Sequence, residues 1–204
     1  MALKNRYEFS QLPFKDFEKI GIQRSQLEKL NQSNRFNLLN SNATGLFKLK
    51  VDNKINIGRI FIRPNSKGEL KINIIPKRRS AENKLGFSEI KFDKLKKVGF
   101  VNGMKKNKEG KRVPYLFQFD RKTNQILAIE KSKINVPKKV SNITLSKEQT
   151  EKITSGKTLT LKTLTGKIDF KIDLTKARGF SSMKSKGYLK NKSLDKSTRN
   201  NLAR

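Results

Sequence analysis

Tyr115, Phe117 and Phe119 alternate with Leu116 and Gln118, and this spacing leaves residues 115–119 little choice of conformation. Side chains two apart point to the same side of an extended strand, so the three rings share one face. Asp120-Arg121-Lys122-Thr123-Asn124 follows as five polar, turn-forming residues, and Gln125 to Glu130 runs back as an apolar strand. Two β-prone runs separated in this way predict an aromatic hairpin over 113–130 with a longer loop. An alternating aromatic face serves either as sheet core or as a platform for stacked bases, and the pattern alone admits both.

Upstream, residues 10–31 predict two short helices that meet at Gly21. Phe14, Phe17 and Ile20 recur at helical spacing after Pro13, and Leu27 and Leu30 mark the second helix. The pair reads either as a helical hairpin packed on a sheet or as a helix-turn-helix whose second helix enters a major groove. Three strands follow. Phe47, Leu49 and Val51 alternate with lysines, Ile55 to Arg63 is a denser apolar run, and Leu70, Ile72 and Ile74 alternate again. Helices followed by an antiparallel meander make a small α+β unit over 1–76.

Lys77, Arg78 and Arg79 open a polar stretch, 77–86, that reads as a basic linker. Residues 87–180 predict a β-rich second unit, with Phe87–Val101 itself strand-like. It holds the aromatic hairpin and a helix-plus-hairpin over 146–174. Ser146-Lys147-Glu148-Gln149 has the capping-box pattern that starts a short helix ending at Gly156, and Thr165-Gly166 turns a second hairpin. The fold class expected is therefore α+β, as two small units that each combine a short helical element with antiparallel hairpins. A basic, flexible tail is expected over 181–204.

Charge decides the partner class. The chain has 48 Lys and Arg against 17 Asp and Glu, a net +31, and 22 of the basic residues lie between 61 and 140 against 7 acidic ones. Such an excess repels itself unless a polyanion neutralises it, which points to nucleic acid, an anionic membrane surface or an acidic protein. Cysteine and histidine are absent. Disulfides, thiolate nucleophiles and imidazole acid–base chemistry are thereby excluded, and zinc loses its usual ligands. The N-terminal MALKNRYEFSQLPF lacks the apolar core of a signal peptide, and no run approaches bilayer length. A cytoplasmic protein with no membrane association is expected.

Two stretches also carry a likeness. FSQLPFKDFEKIGIQRSQLEKL with LLNSNATGLFKL, and YLFQFDRKTNQILAIEKSKINVP with ITLSKEQTEKITSGKTLTLKTL, resemble a pair of domains of unknown function. These domains occur in proteins of Bacteroidetes conjugative transposons and related mobile elements, often beside topoisomerase-like proteins. The likeness covers most of residues 8–180 and is most specific at Phe119, Asp120, Arg121, Thr123 and Asn124. It implies a place in DNA-transfer or DNA-topology machinery, with DNA favoured over RNA and a protein partner in that machinery. It carries no residue-level chemistry. This chain departs from the pattern in its lysine content and in having one copy of the second unit.

Catalytic readings are weaker. Glu69-Leu70-Lys71, Glu89-Ile90-Lys91 and Asp169-Phe170-Lys171 match the carboxylate-x-lysine pairing of metal-dependent nucleases, but charges straddling an apolar residue are also the solvated face of any half-buried strand. Tyr7, Tyr115 and Tyr188 lack a histidine partner for nucleophilic chemistry. The expected function is a non-enzymatic nucleic-acid-binding accessory protein of a mobile genetic element, with no cofactor or metal. Its phosphate-gripping residues would be Lys77, Arg78, Arg79, Lys105, Lys106, Lys108, Lys111, Arg112, Arg121 and Lys122. A module docking its basic surface on an acidic protein or large assembly is the alternative, and a metal-dependent nuclease the minor one.

Overall fold

A computed structural model describes residues 5–51, 54–107 and 109–185. In chain order they form helices α1 (Phe14–Lys19), α2 (Arg24–Glu28) and α3 (Gln32–Leu39), then strands β1 (Leu46–Val51), β2 (Lys54–Pro64) and β3 (Leu70–Pro76). Helix α4 (Glu89–Val98) precedes β4 (Phe100–Lys106), β5 (Arg112–Asp120) and β6 (Gln125–Glu130). The short pair β7 (Lys139–Val140) and β8 (Ile143–Thr144), helix α5 (Lys147–Thr154) and strands β9 (Leu159–Thr163), β10 (Gly166–Ile172) and β11 (Phe180–Lys184) complete it. The fold is α+β with antiparallel sheets in the orders β1-β2-β3, β4-β5-β6, β7-β8 and β11-β10-β9.

The chain divides into two compact units, one of Met1–Val101, Phe117–Ala128 and Leu174–Arg178, the other of Asn102–Leu116, Ile129–Asp173 and Gly179–Arg204. Residues 77–86, expected as a linker, lie inside the first unit. The reason is local: the Arg78 backbone N–H donates to the Thr123 carbonyl at 2.8 Å, and the Gln125 amide donates to the Pro76 carbonyl at 2.8 Å. Bonds of this kind tie the stretch to the 120–124 bend. Similarly, Ala43 N–H donates to the Thr175 carbonyl and Ala177 N–H to the Asn42 side chain, which brings 174–178 into the same unit.

The core of the first unit is dictated by strand alternation meeting helix periodicity. Leu49, Ile60 and Ile62 point to one face of the β1-β2-β3 sheet, where Phe17, Ile22, Leu27, Leu38 and Leu39 from the helical segment bury them. Gly21, at φ +76°, ends α1 as expected: its N–H and that of Ile22 bond back to Glu18 and Phe17. Of the two readings of residues 10–31, the packed helical pair matches this arrangement. Helix α2 has five residues and spends Leu27 on the core, which leaves little length for reading a groove. Gly58 sits on the core face of β2, where a Cβ would come within 2.9 Å of the Ile75 carbonyl oxygen.

Two helices were not foreseen. Helix α3 is capped by Asn31, whose side chain accepts from the Asn34 N–H at 2.9 Å. Helix α4 occupies most of Phe87–Val101, a stretch expected to be strand. Ser88 precedes it, Glu89 lies in its first turn, Lys96 and Lys97 in its last, and Gly99 at φ +91° stops it. Leu95 is its buried anchor.

In the second unit α5 lies against β9 and β10. The capping box is formed, with the Ser146 hydroxyl accepting from Gln149 N–H at 3.1 Å and the Gln149 side chain accepting from Ser146 N–H at 2.9 Å. Ile153, Leu159, Leu161, Phe170 and Ile172 are buried, and Phe170 stacks on Phe180 at 5.3 Å. Strand β11 takes Phe180–Lys184 into this sheet, so residues 181–184 of the expected tail are paired with β10. The rest of that tail, from 186, lies outside the described residues. Among the described residues no helix is long and apolar enough to cross a membrane.

Candidate nucleic-acid interface

The 120–124 bend is assembled around a buried carboxylate. Asp120 and Arg59 are 5% and 6% exposed, and one guanidinium nitrogen, Arg59 Nη1, reaches both Asp120 oxygens at 3.2 and 3.1 Å. The other Arg59 donors go to the carbonyls of Thr44 (2.7 Å) and Ala43 (2.9 Å). Asp120 also accepts the Thr123 hydroxyl at 2.8 Å and the Lys122 N–H at 3.2 Å. A buried ion pair is tolerated only when its remaining donors and acceptors are occupied, and here they are.

The residues after Asp120 then attach neighbouring segments to the bend. Asn124, at φ +56°, donates to the carbonyls of Arg78 (3.0 Å) and Arg79 (3.3 Å). Arg121 Nη2 donates to the carbonyls of Lys97 (2.8 Å) and Lys96 (3.3 Å), satisfying the open end of α4. Phe119 N–H bonds to the Gly99 carbonyl. Phe119, Asp120, Arg121, Thr123 and Asn124 are therefore engaged in holding this unit together.

What they hold together is basic. Lys77, Arg78, Arg79, Arg121 and Lys122 come to one bend, joined by Lys96 and Lys97, which the sequence reading had not singled out. Lys77, Arg79, Lys97 and Lys122 are exposed and form no ion pair among the described residues. The nearby acids are occupied. Glu82 meets Arg78 at 3.2 Å and Lys84 at 3.0 Å, and Asp93 meets Lys96 at 2.7 Å. Hydrogen bonds from Lys84 and then Arg78's charge hold the Glu82 carboxyl below its ordinary range, and Lys96 does the same for Asp93. Both carboxylates stay ionised at neutral pH and cancel only part of the local charge.

The remaining expected contacts belong to the second unit. Lys105, Lys106, Lys111 and Arg112 are exposed around a loop ordered by Asn107, whose side chain accepts from the N–H groups of Glu109 and Lys111, both at 3.0 Å. Lys105 lies 5.6 Å from the centre of the Tyr115 ring. Lys108 lies outside the described residues. Of the aromatic face, Phe117 is buried, edge-on to Phe87 at 4.9 Å, while Tyr115 and Phe119 are half-buried. The middle ring is core.

The carboxylates of the three carboxylate-x-lysine pairs have separate local settings. Glu69 receives the Asn65 side-chain amide at 2.8 Å, Glu89 begins α4, and Asp169 accepts the Thr160 hydroxyl at 2.7 Å. Among the described residues no three acidic side chains gather as a metal site would require. Tyr188 lies outside the described residues. Arg59 was missed as a structural residue, because nothing in its neighbourhood along β2 separates it from Arg63, which lies on the same side of the strand and is exposed. No protein-family model, curated protein or solved structure matches this chain.

Proposed function

We propose that this chain is a non-enzymatic nucleic-acid-binding accessory protein of a mobile genetic element, gripping phosphates with lysines and arginines at the 120–124 bend. The observation that carries the reading is the convergence there of Lys77, Arg79, Lys97 and Lys122, exposed and without ion pairs among the described residues, on a backbone pinned by hydrogen bonds. A held backbone keeps these cations close together, so meeting phosphates requires ordering of the side chains but not of the segments that carry them. The likeness to mobile-element domains supports DNA over RNA and a partner in DNA-transfer machinery. Lys105, Lys106, Lys111 and Arg112, exposed on the second unit, are candidate phosphate contacts of their own, and the reading invokes no cofactor.

Salt titration of binding to a duplex oligonucleotide tests it. The logarithm of the affinity should fall linearly with the logarithm of salt, with a slope of about 0.9 per phosphate neutralised. A slope near zero overturns the reading. Replacing Lys77, Arg79 and Lys122 together by Ser should reduce both the affinity and the slope. The second reading, a module that docks on an acidic protein, predicts instead that one protein co-purifies after nuclease treatment.

A further inference from the structure

The face of the β1-β2-β3 sheet opposite the core is not uniformly polar. Ile55 and Ile57 project from it 80% and 44% exposed, with Leu46 beside them at 41%. The register places Lys50 across from Ile55 and Lys48 across from Ile57, while the Lys77 N–H donates to the Ile57 carbonyl from the other side at 2.7 Å. Residues paired across antiparallel strands share a face, and neighbouring strands lie about 4.8 Å apart. A strip of two isoleucines is thus bordered by lysines on both sides. Among the described residues β1 and β2 contain no acidic side chain.

We infer that this strip is a seat for single-stranded nucleic acid, an inference that rests on the nucleic-acid reading above. The chemistry asks for a partner that is anionic along its length and also offers flat apolar surface. A duplex supplies the charge but keeps its base faces stacked inside. A single strand supplies both: phosphates for Lys48, Lys50 and Lys77, and free base faces for the isoleucines. A pleated face is flat on the scale of a base, and Lys77 continues into the basic bend, so a strand lying on the strip can run on to the phosphate contacts there. An acidic peptide pairing along the β1 edge meets an obstacle, because the Lys50 N–H already bonds the Ile20 carbonyl at 2.8 Å.

The test uses the full chain carrying Ile55→Thr and Ile57→Thr together, which keeps every charge and the β-branched shape. Anisotropy is measured with a labelled oligothymidine and with a labelled hairpin duplex, and circular dichroism checks the fold. The expected result is a fall in single-strand affinity of about tenfold, with duplex affinity unchanged. Unchanged affinity for the oligothymidine overturns the inference while leaving the broader function intact. A wild-type protein that binds neither oligonucleotide overturns both. Equal losses on both oligonucleotides show that the strip does not distinguish a single strand from a duplex and overturn the inference as well.

Discussion

Arg59 and Asp120, 61 residues apart in the chain, meet in a buried ion pair in which one guanidinium nitrogen bridges both carboxylate oxygens at 3.1–3.2 Å. The pair joins the middle of β2 to the bend between β5 and β6, and the bend is where basic segments of the first unit gather. Removing either partner leaves the other charged and buried. Arg59→Met and Asp120→Ala should each destabilise the unit by about 3–5 kcal/mol. Replacing both by apolar residues of similar size should cost less than the two single changes summed. Urea denaturation of the four proteins checks this, and additive losses would refute the coupling.

Thr123 is fully buried and gives its hydroxyl to Asp120. Thr123→Val keeps the shape and removes the donor. It should cost about 1–3 kcal/mol in the same denaturation experiment, with no change in the surface charge.

Arg121 and Lys122 are neighbours in the chain but should behave differently. The Arg121 guanidinium satisfies carbonyls at the end of α4, whereas Lys122 extends into solvent with no ion pair among the described residues. Arg121→Ala should lower thermal stability, by about 1 kcal/mol in unfolding free energy. Lys122→Ser should leave stability unchanged and reduce the salt slope of binding by about 1. Identical effects of the two substitutions on stability would contradict this division.

Gly58 faces the core with the Ile75 carbonyl oxygen 2.9 Å from where a Cβ would stand. Neither that backbone group nor the nearby Pro76 Cα moves cheaply. Gly58→Ala should therefore cost about 1–3 kcal/mol, although alanine ordinarily suits a strand better than glycine. A melting temperature equal to or above wild type would show that β3 can shift.

The Lys96 hydrogen bond, then its charge, holds the Asp93 carboxyl below its ordinary value of 3.8. A carboxyl depressed in the folded state adds stability above its unfolded value, and that contribution disappears as pH falls through the folded value. Carboxyl-carbon NMR should show Asp93 titrating below 3.8, and Lys96→Gln should return it toward that value. An unaltered titration in the variant would show that Lys96 is not the cause.

The hairpins were legible because strand alternation is a local property. Phe47-Leu49-Val51 and the residues around Thr165-Gly166 form the antiparallel strands that their alternation predicts. Helix α4 was hidden by the same logic. Ile90 and Phe92 straddle Lys91, which looks like a strand, while Ser88 and Gly99 flank a helix whose buried residue is Leu95. The basic residues were visible as composition. Their convergence was not, because Asn124 reaches carbonyls 46 and 45 positions earlier.

From the residues alone came the positive excess that makes a polyanion the partner to test, the absence of thiol and imidazole chemistry, and the antiparallel hairpins. Each depends on composition or on the nearest few neighbours. Which lysines stand together, and which arginine is spent inside the molecule, was decided only on folding. Those assignments depend on hydrogen bonds between segments far apart in the chain, and no short-range pattern encodes such meetings.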